Sequence, residues 1–141
     1  MSKSTGELFT ELKKDRNLRG YLRRNSDEFV SPLNEYLDKL LAEKNLTKKE
    51  VIERSGLNRE YAYHIFSGLK KNPSRPKILA LAMAMGLNLE EVQYLLRYAG
   101  LGLLYPRNQW DAIIISAVEQ KFNVAQTNEL LYRLGEKTLS D

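Results

Sequence analysis

The sequence has no cysteine and only one histidine among its 141 residues. Without cysteine the chain forms no disulfide and offers no thiolate ligand, and one histidine cannot build a multi-histidine metal site. The sequence also lacks a phosphate-binding loop, a nucleophile beside a general base and any metal-ligand spacing. We therefore expect that the protein is not an enzyme and that it needs no metal ion or other cofactor.

Long apolar runs are missing as well. No stretch approaches the roughly 18 apolar residues of a membrane span, and the first residues do not form the basic and then apolar leader of a secreted protein. We therefore expect no membrane association and a cytoplasmic location. Hydrophobic residues still make up 43% of the chain, which is enough to build a folded core.

The net charge of +4 is modest, but it is distributed unevenly. Residues 11–24 contain six basic and two acidic side chains, and residues 46–76 contain seven basic and three acidic ones. From residue 89 onward, five basic side chains face seven acidic ones. A polyanion would be attracted to the first two segments and not to the third.

Residues 46–68 show the spacing of two short helices joined by a tight turn. Thr47 and Glu50 are suited to form a capping box at the start of the first helix, and Gly56 is suited to end it, because glycine readily adopts a positive φ. Asn58 is a good cap for the helix that follows. The spacing therefore predicts a helix-turn-helix.

The second helix of this motif, residues 59–67, has an inward side and an open side. Its periodicity places Ala62, Ile65 and Phe66 inward. The residues on or near the open side are Asn58, Arg59, Glu60, Tyr63, His64 and Ser67. A helix with a polar side of this kind can enter the major groove of DNA.

Helical patterns also flank the motif. Ser31 and Pro32 form a strong helix start, and Gly86 and Gly100 are suited to end later helices. The flanking helices are predicted over residues 33–44, 76–85 and 89–99.

Residues 1–30 are predicted to form a basic, helical N-terminal arm. A capping box of Ser4 and Glu7 starts its first helix, residues 15–17 interrupt it, and a second short helix follows. Three roles are open for this arm: docking on the main domain, insertion into a DNA groove, or pairing with another chain.

The C-terminal part repeats an earlier pattern, because a shift of 35 residues places 76–100 on 111–135. Helix, asparagine cap, helix and glycine stop recur in the same order, which predicts a C-terminal helical hairpin over 105–141. Two explanations of the repeat are open: internal duplication of the sequence, and similar leucine spacing that packing alone imposes on helical hairpins. The apolar run Ile113 to Ile115 is predicted to lie in the core, with a dimer interface as the alternative.

One ordered set of motifs extends across the middle of the chain: Leu46-Thr47, Gly56-Leu57, Gly68, Asn72-Pro73-Ser74, Leu79-Ala80-Leu81-Ala82 and Met85-Gly86-Leu87. In this set, residues 46–89 resemble the lambda-repressor-like, Xre-type family of helix-turn-helix regulators. The resemblance implies an all-α fold with a five-helix domain. It also implies a homodimer that binds a roughly two-fold-symmetric site on double-stranded DNA.

The resemblance also implies which residues contact DNA. The positions that meet base edges correspond to Asn58, Arg59, Glu60, Tyr63 and His64. The positions that face phosphates correspond to Lys48, Lys49, Ser67, Lys70, Lys71 and Asn72. The chain departs from the family at Ile52, where the family keeps alanine, at the acidic Glu60, and at the apolar Phe66 and Leu69.

Two functional hypotheses follow. The first is a sequence-specific DNA-binding transcriptional regulator that inserts the helix 58–67 into the major groove, with a domain over 31–104 between the arm and the hairpin. The alternative is a helical protein–protein interaction module on the same scaffold. For that module the candidate protein interface comprises Phe66, Leu69, Ile114 and Ile115.

Overall fold

The computed structural model describes residues 3–26 and 33–140, and the regular elements of these residues are helices, with no β-strand among them. The all-α prediction is therefore confirmed. The helices are α1 (Thr5–Lys14), α2 (Leu18–Arg24), α3 (Leu33–Lys44), α4 (Lys48–Ser55), α5 (Arg59–Ser67), α6 (Arg75–Ala84), α7 (Leu89–Tyr98), α8 (Gln109–Glu119) and α9 (Val124–Arg133).

The chain divides into two compact units, Met1–Ser31 and Pro32–Asp141. Helices α1 and α2 belong to the first unit, and α3 to α9 belong to the second. The predicted helix start at Ser31-Pro32 lies outside the described residues, and the domain boundaries predicted at 30/31 and 104/105 stay predictions. None of the described helices has the length and apolar character that a membrane span requires.

In the first unit, the predicted helix starts and the predicted break are confirmed. The Ser4 hydroxyl accepts a hydrogen bond from the Glu7 N–H at 3.1 Å, which is one half of the predicted capping box. The chain leaves the helix at Asp15, and Asn17 then caps α2 by accepting from the Gly20 N–H at 3.1 Å. Two short helices thus follow one another as their local caps require.

In the second unit, α3, α4 and α5 begin and end where the sequence indicates. The capping box of Thr47 and Glu50 is complete in both directions. Gly56 has a φ of +70°, a value that a side chain would disfavour. Asn58 accepts a hydrogen bond from the Tyr61 N–H at 2.9 Å and so caps α5.

Helix α6 is the centre of the core. Every residue from Ile78 to Ala84 is buried, and α6 packs against α4, α7 and α9. A helix that is apolar on all sides is stable only when other elements surround it. The neighbouring helices therefore take their positions around α6.

The two hairpins α6–α7 and α8–α9 share their backbone details. Gly86 and Lys121 both have a positive φ, of 68° and 61°. Asn88 and Asn123 cap the second helix of each hairpin, with complete capping boxes to Glu91 and Gln126. The helix, cap, helix and glycine order predicted for 111–135 is confirmed, whereas duplication of the sequence stays a hypothesis.

Two residues proposed for a protein interface are in the core instead. Phe66 is 1% exposed and Ile114 is 0% exposed. Their use as surface contacts is therefore wrong, while the inward prediction for Phe66 and the core prediction for Ile114 are confirmed. Ile115 is half-buried and packs against the core, and Leu69 is 70% exposed.

Candidate nucleic-acid interface

Helix α5 has one buried side and one open side. Ala62, Ile65 and Phe66 are each no more than 1% exposed, which confirms the predicted inward set. On the other side Asn58, Arg59 and Glu60 are exposed, and Tyr63 and His64 are half-buried. The core therefore fixes the orientation of α5 while its polar side remains accessible to a ligand.

Arg59, the first residue of α5, lies over an aromatic ring. Its guanidinium carbon is 6.0 Å from the centroid of the Tyr63 ring, one turn further along the helix. This cation–π contact limits the positions of the guanidinium but leaves its N–H groups without a hydrogen bond to any residue that the structure describes. The two side chains also line a surface pocket of about 270 Å³ between α4 and α5, beside Ile52.

The cap of α5 restricts what Asn58 can recognise. Its side-chain oxygen is already engaged with the Tyr61 N–H, so the amide NH₂ group is left to donate. The two-bond contact that an asparagine makes with adenine needs both the oxygen and the nitrogen. Asn58 can therefore serve as a donor to a phosphate or to a single base acceptor.

Basic side chains lie on both sides of α5 along the chain. Lys48 and Lys49 in the first turn of α4 are exposed, as are Lys70, Lys71 and Asn72 in the loop after α5. The Lys48 ammonium is 3.8 Å from the Asp38 carboxylate, a loose and exposed pair. An exposed pair of this kind is weak, so Lys48 can exchange Asp38 for a phosphate.

A model of the helix-turn-helix family matches residues 37–92, which include α4, α5 and α6. This segment belongs to the helix-turn-helix family. Searches of the curated proteins and of the solved structures each find no significant match. The family assignment therefore covers the middle of the chain and supports DNA binding in general terms.

The acidic Glu60 has a structural role at the start of α5. Glu60 lies in the first turn of α5, where the helix dipole favours a negative charge. The sequence departs from the family pattern there, but the carboxylate stabilises the helix that carries it. An exposed carboxylate at this position can also accept a hydrogen bond from the amino group of cytosine.

Sequence reasoning missed one cation of this domain. The Lys77 ammonium lies 4.5 Å from the centroid of the Tyr61 ring, and the Lys70 ammonium lies 5.7 Å from the same ring. Lys77 lies in the first turn of α6, one position beyond the basic segment 46–76. Extending the charge count of residues 46–76 by one position would have included it.

Ser67, which the family pattern places near a phosphate, already uses its hydroxyl at the end of α5. It donates to the His64 carbonyl at 3.2 Å and accepts from the Leu69 N–H at 3.3 Å. The backbone then turns at Gly68, whose φ is +85° and where an added Cβ would lie 3.1 Å from the Asn34 side chain. This turn directs Lys70, Lys71 and Asn72 away from the core, where they line a pocket of about 370 Å³.

Proposed function

We propose that the protein is a sequence-specific DNA-binding transcriptional regulator that inserts α5 into the major groove. The open side of α5 carries this proposal, because it presents Arg59, Tyr63 and His64 while the opposite side of the helix is buried in the core. The role proposed is one of binding, not catalysis. Arg59 would read a guanine through two hydrogen bonds, a contact worth about 1 to 3 kcal/mol of discrimination.

The phosphate contacts in this proposal are separate from the base contacts. Lys48 and Lys49 precede α5, and Lys70, Lys71 and Asn72 follow it. Phosphate contacts position a protein on the duplex without reading its sequence. Each neutralised phosphate contributes about 0.9 to the slope of log affinity against log salt.

We further propose that two copies bind together as a homodimer. Helix-turn-helix dimers place their recognition helices in major grooves about 34 Å apart, so each copy reads one half of a two-fold-symmetric site. The expected outcome is a selected DNA site with two inverted half-sites and a complex with the mass of two chains. A single asymmetric half-site bound by one chain would contradict this part of the proposal.

Selection of bound fragments from genomic DNA tests the proposal, with Arg59→Ala and Lys70→Ala as a matched pair. Arg59→Ala is expected to relax the preference at one base position in each half-site and to leave nonspecific binding nearly unchanged. Lys70→Ala is expected to weaken all sites alike and to reduce the salt slope by about 0.9. An unchanged sequence preference in Arg59→Ala would exclude it as the residue that reads a base.

A protein-binding module is the second candidate, because Leu69 is exposed directly after α5. Leu69 is 70% exposed and presents an apolar side chain beside α5. An apolar side chain at this place adds no contact to phosphates, but it suits a protein interface. One stoichiometric protein partner that is lost in Leu69→Ser, together with failure to retard any DNA fragment, would favour this function. Retention of DNA binding in Leu69→Ser would favour the first.

A further inference from the structure

The first unit of the chain uses its own acidic side chains internally. The Glu11 carboxylate binds the Lys3 ammonium at 2.8 Å and the Asn25 side-chain amide at 3.0 Å, and Arg24 lies 3.4 Å away. Arg24 also pairs with Asp15. The hydrogen bond from Lys3 is the largest of the effects that lower the pKa of Glu11 to about 2. These contacts join α1, α2 and the residues around them.

Five further cations of this unit remain exposed: Lys13, Lys14, Arg16, Arg19 and Arg23. Within the part of the chain that the structure describes, none of the five forms an ion pair with a carboxylate. Glu11 and Asp15 are engaged by Lys3 and Arg24, so they do not neutralise this surface. Glu7 is the acidic side chain that stays exposed among residues 3–26.

The backbone that carries these cations is folded. Ser4 caps α1, Asn17 caps α2, and Arg24 of α2 pairs with Asp15 at the end of α1. A folded cationic surface loses less conformational entropy on binding than a disordered basic tail does. Exposed arginines on such a surface are well suited to phosphate groups, because the guanidinium offers two parallel donors.

We propose that the α1–α2 unit is a second DNA-binding surface, which holds the phosphate backbone of the duplex without reading its sequence. The inference rests on the proposed function, since DNA is then the polyanion that the same chain already binds. It goes beyond that function because it assigns the cations of residues 13–23 to nonspecific affinity and leaves base recognition to α5. The ligand class is the phosphodiester backbone of double-stranded DNA.

An anionic membrane is the competing partner, because the unit also exposes apolar side chains. Phe9 and Leu18 are each 59% exposed, and Leu12 and Leu22 are 42% and 44% exposed. Interfacial helices use such side chains together with cations. DNA is favoured because residues 37–92 belong to the helix-turn-helix family, which supplies a polyanionic ligand for the same chain.

The test compares two triple variants of the full chain. Arg16→Gln, Arg19→Gln and Arg23→Gln together remove three cations of the α1–α2 unit. The matched control removes three exposed cations elsewhere, at Lys39, Arg107 and Arg133. Affinity for the selected site and for a random-sequence duplex is measured between about 50 and 200 mM salt. Circular dichroism establishes that both variants keep the helical content of the unaltered protein.

The expected result is a salt slope smaller by about 2.7 in the first variant, since three phosphate contacts at about 0.9 each are lost. Both duplexes should show this change, and the ratio of specific to nonspecific affinity should stay the same. The control should keep the original slope. If the unaltered protein lacks any sequence preference but the salt slope is still smaller in the first variant, the proposed function fails and this inference stands.

Two results would overturn the inference. A salt slope that is unchanged in the first variant, or lowered equally in both variants, would show that the α1–α2 unit makes no phosphate contacts of its own. If the unaltered protein still prefers its selected site, the proposed function stays intact in that case. Binding of the unaltered protein to vesicles of phosphatidylserine and phosphatidylcholine, lost in the first variant while the DNA slope stays the same, would assign the surface to membranes instead.

Discussion

The first turns of α5 and α6 begin with the same residue type in different surroundings. Arg75 opens α6 and donates to both Asp111 carboxylate oxygens, at 2.7 and 2.8 Å. It also donates to the carbonyls of Gly102 and Leu103, each at 2.9 Å. Arg59 opens α5 and lies over the Tyr63 ring, with no hydrogen bond to any of the described residues.

The difference separates a structural arginine from one that is available to a ligand. A guanidinium has five N–H donors, and the protein itself engages four of those of Arg75, including both on Nη2, which donate to Leu103 and Asp111. Arg75 therefore joins the start of α6 to the start of α8. The donors of Arg59 are exposed, so a base or a phosphate can take them at little cost to the fold.

The strongest way to test this contrast is to remove the partner of Arg75. Asp111→Ala is expected to lower the free energy of unfolding by about 3 kcal/mol, because it leaves the Arg75 charge without its partner. This value is the lower end of the range for a buried ion that loses its partner, since a quarter of the Arg75 side chain is exposed. Urea denaturation measures the change. The control is Glu129→Ala, whose pair with Arg133 is exposed and should contribute less than about 1 kcal/mol. Equal losses in the two variants would contradict the structural role of Arg75.

Arg59→Ala tests the other side of the contrast. The free energy of unfolding should change by no more than about 0.5 kcal/mol, as for other exposed side chains. Discrimination between the selected site and a site altered at one guanine should fall by about 1 to 3 kcal/mol. Parallel urea denaturation and DNA titrations measure the two effects. A large loss of stability with unchanged discrimination would reverse the assignment.

The caps of the two helices provide a smaller contrast. Asn58 caps α5 through the Tyr61 N–H, whereas the Ser74 side chain makes no capping bond to α6. Asn58→Ala is therefore expected to lower the free energy of unfolding by about 1 kcal/mol. Ser74→Ala should be close to neutral. Thermal denaturation of both variants checks this, and a larger loss in Ser74→Ala would show that the start of α6 depends on a contact other than Arg75.

The pH dependence of stability provides the smallest expected effect. Burial raises the pKa of Asp111, but hydrogen bonds from Arg75 and from the Tyr105 N–H outweigh it and hold the pKa below its ordinary value of 3.8. Since the folded state has the lower pKa, this stabilisation is complete above that ordinary value and is lost as the pH falls below it. Asp111→Asn should therefore flatten the stability curve in the acid range. An unchanged curve would mean that the carboxylate is not held by Arg75.

Local signals in the sequence predict most of this fold. The caps at Thr47, Asn58 and Asn88 depend on bonds between residues three positions apart, so the sequence alone reveals them. The pairing of Arg75 with Asp111 links residues 36 positions apart and leaves no periodic signal. For the same reason the sequence indicates a basic loop after α5 but does not distinguish an arginine that is free from one that is bound.

Surface assignments for apolar residues were harder to predict than helix ends. Phe66 and Leu69 are three positions apart and both depart from the family pattern, yet one is buried and the other exposed. The structure explains this, because α5 ends at Ser67 and the chain turns at Gly68 with a positive φ. Helical periodicity therefore stops applying between the two residues. Lys121 shows that residue type also limits the prediction of turns. It adopts the positive φ that Gly86 has in the hairpin α6–α7, although it is not a glycine.

The most direct test of the central claim is a double-substitution cycle between Arg59 and the guanine that it is proposed to read. One half replaces that guanine in the selected site with 7-deazaguanine, which lacks the N7 acceptor, and the other half replaces Arg59 with alanine. The unaltered protein is expected to bind the modified site more weakly, and Arg59→Ala should bind both sites equally. An equal loss for both proteins, or none for either, would show that Arg59 does not contact N7 of this guanine and would contradict the proposed readout.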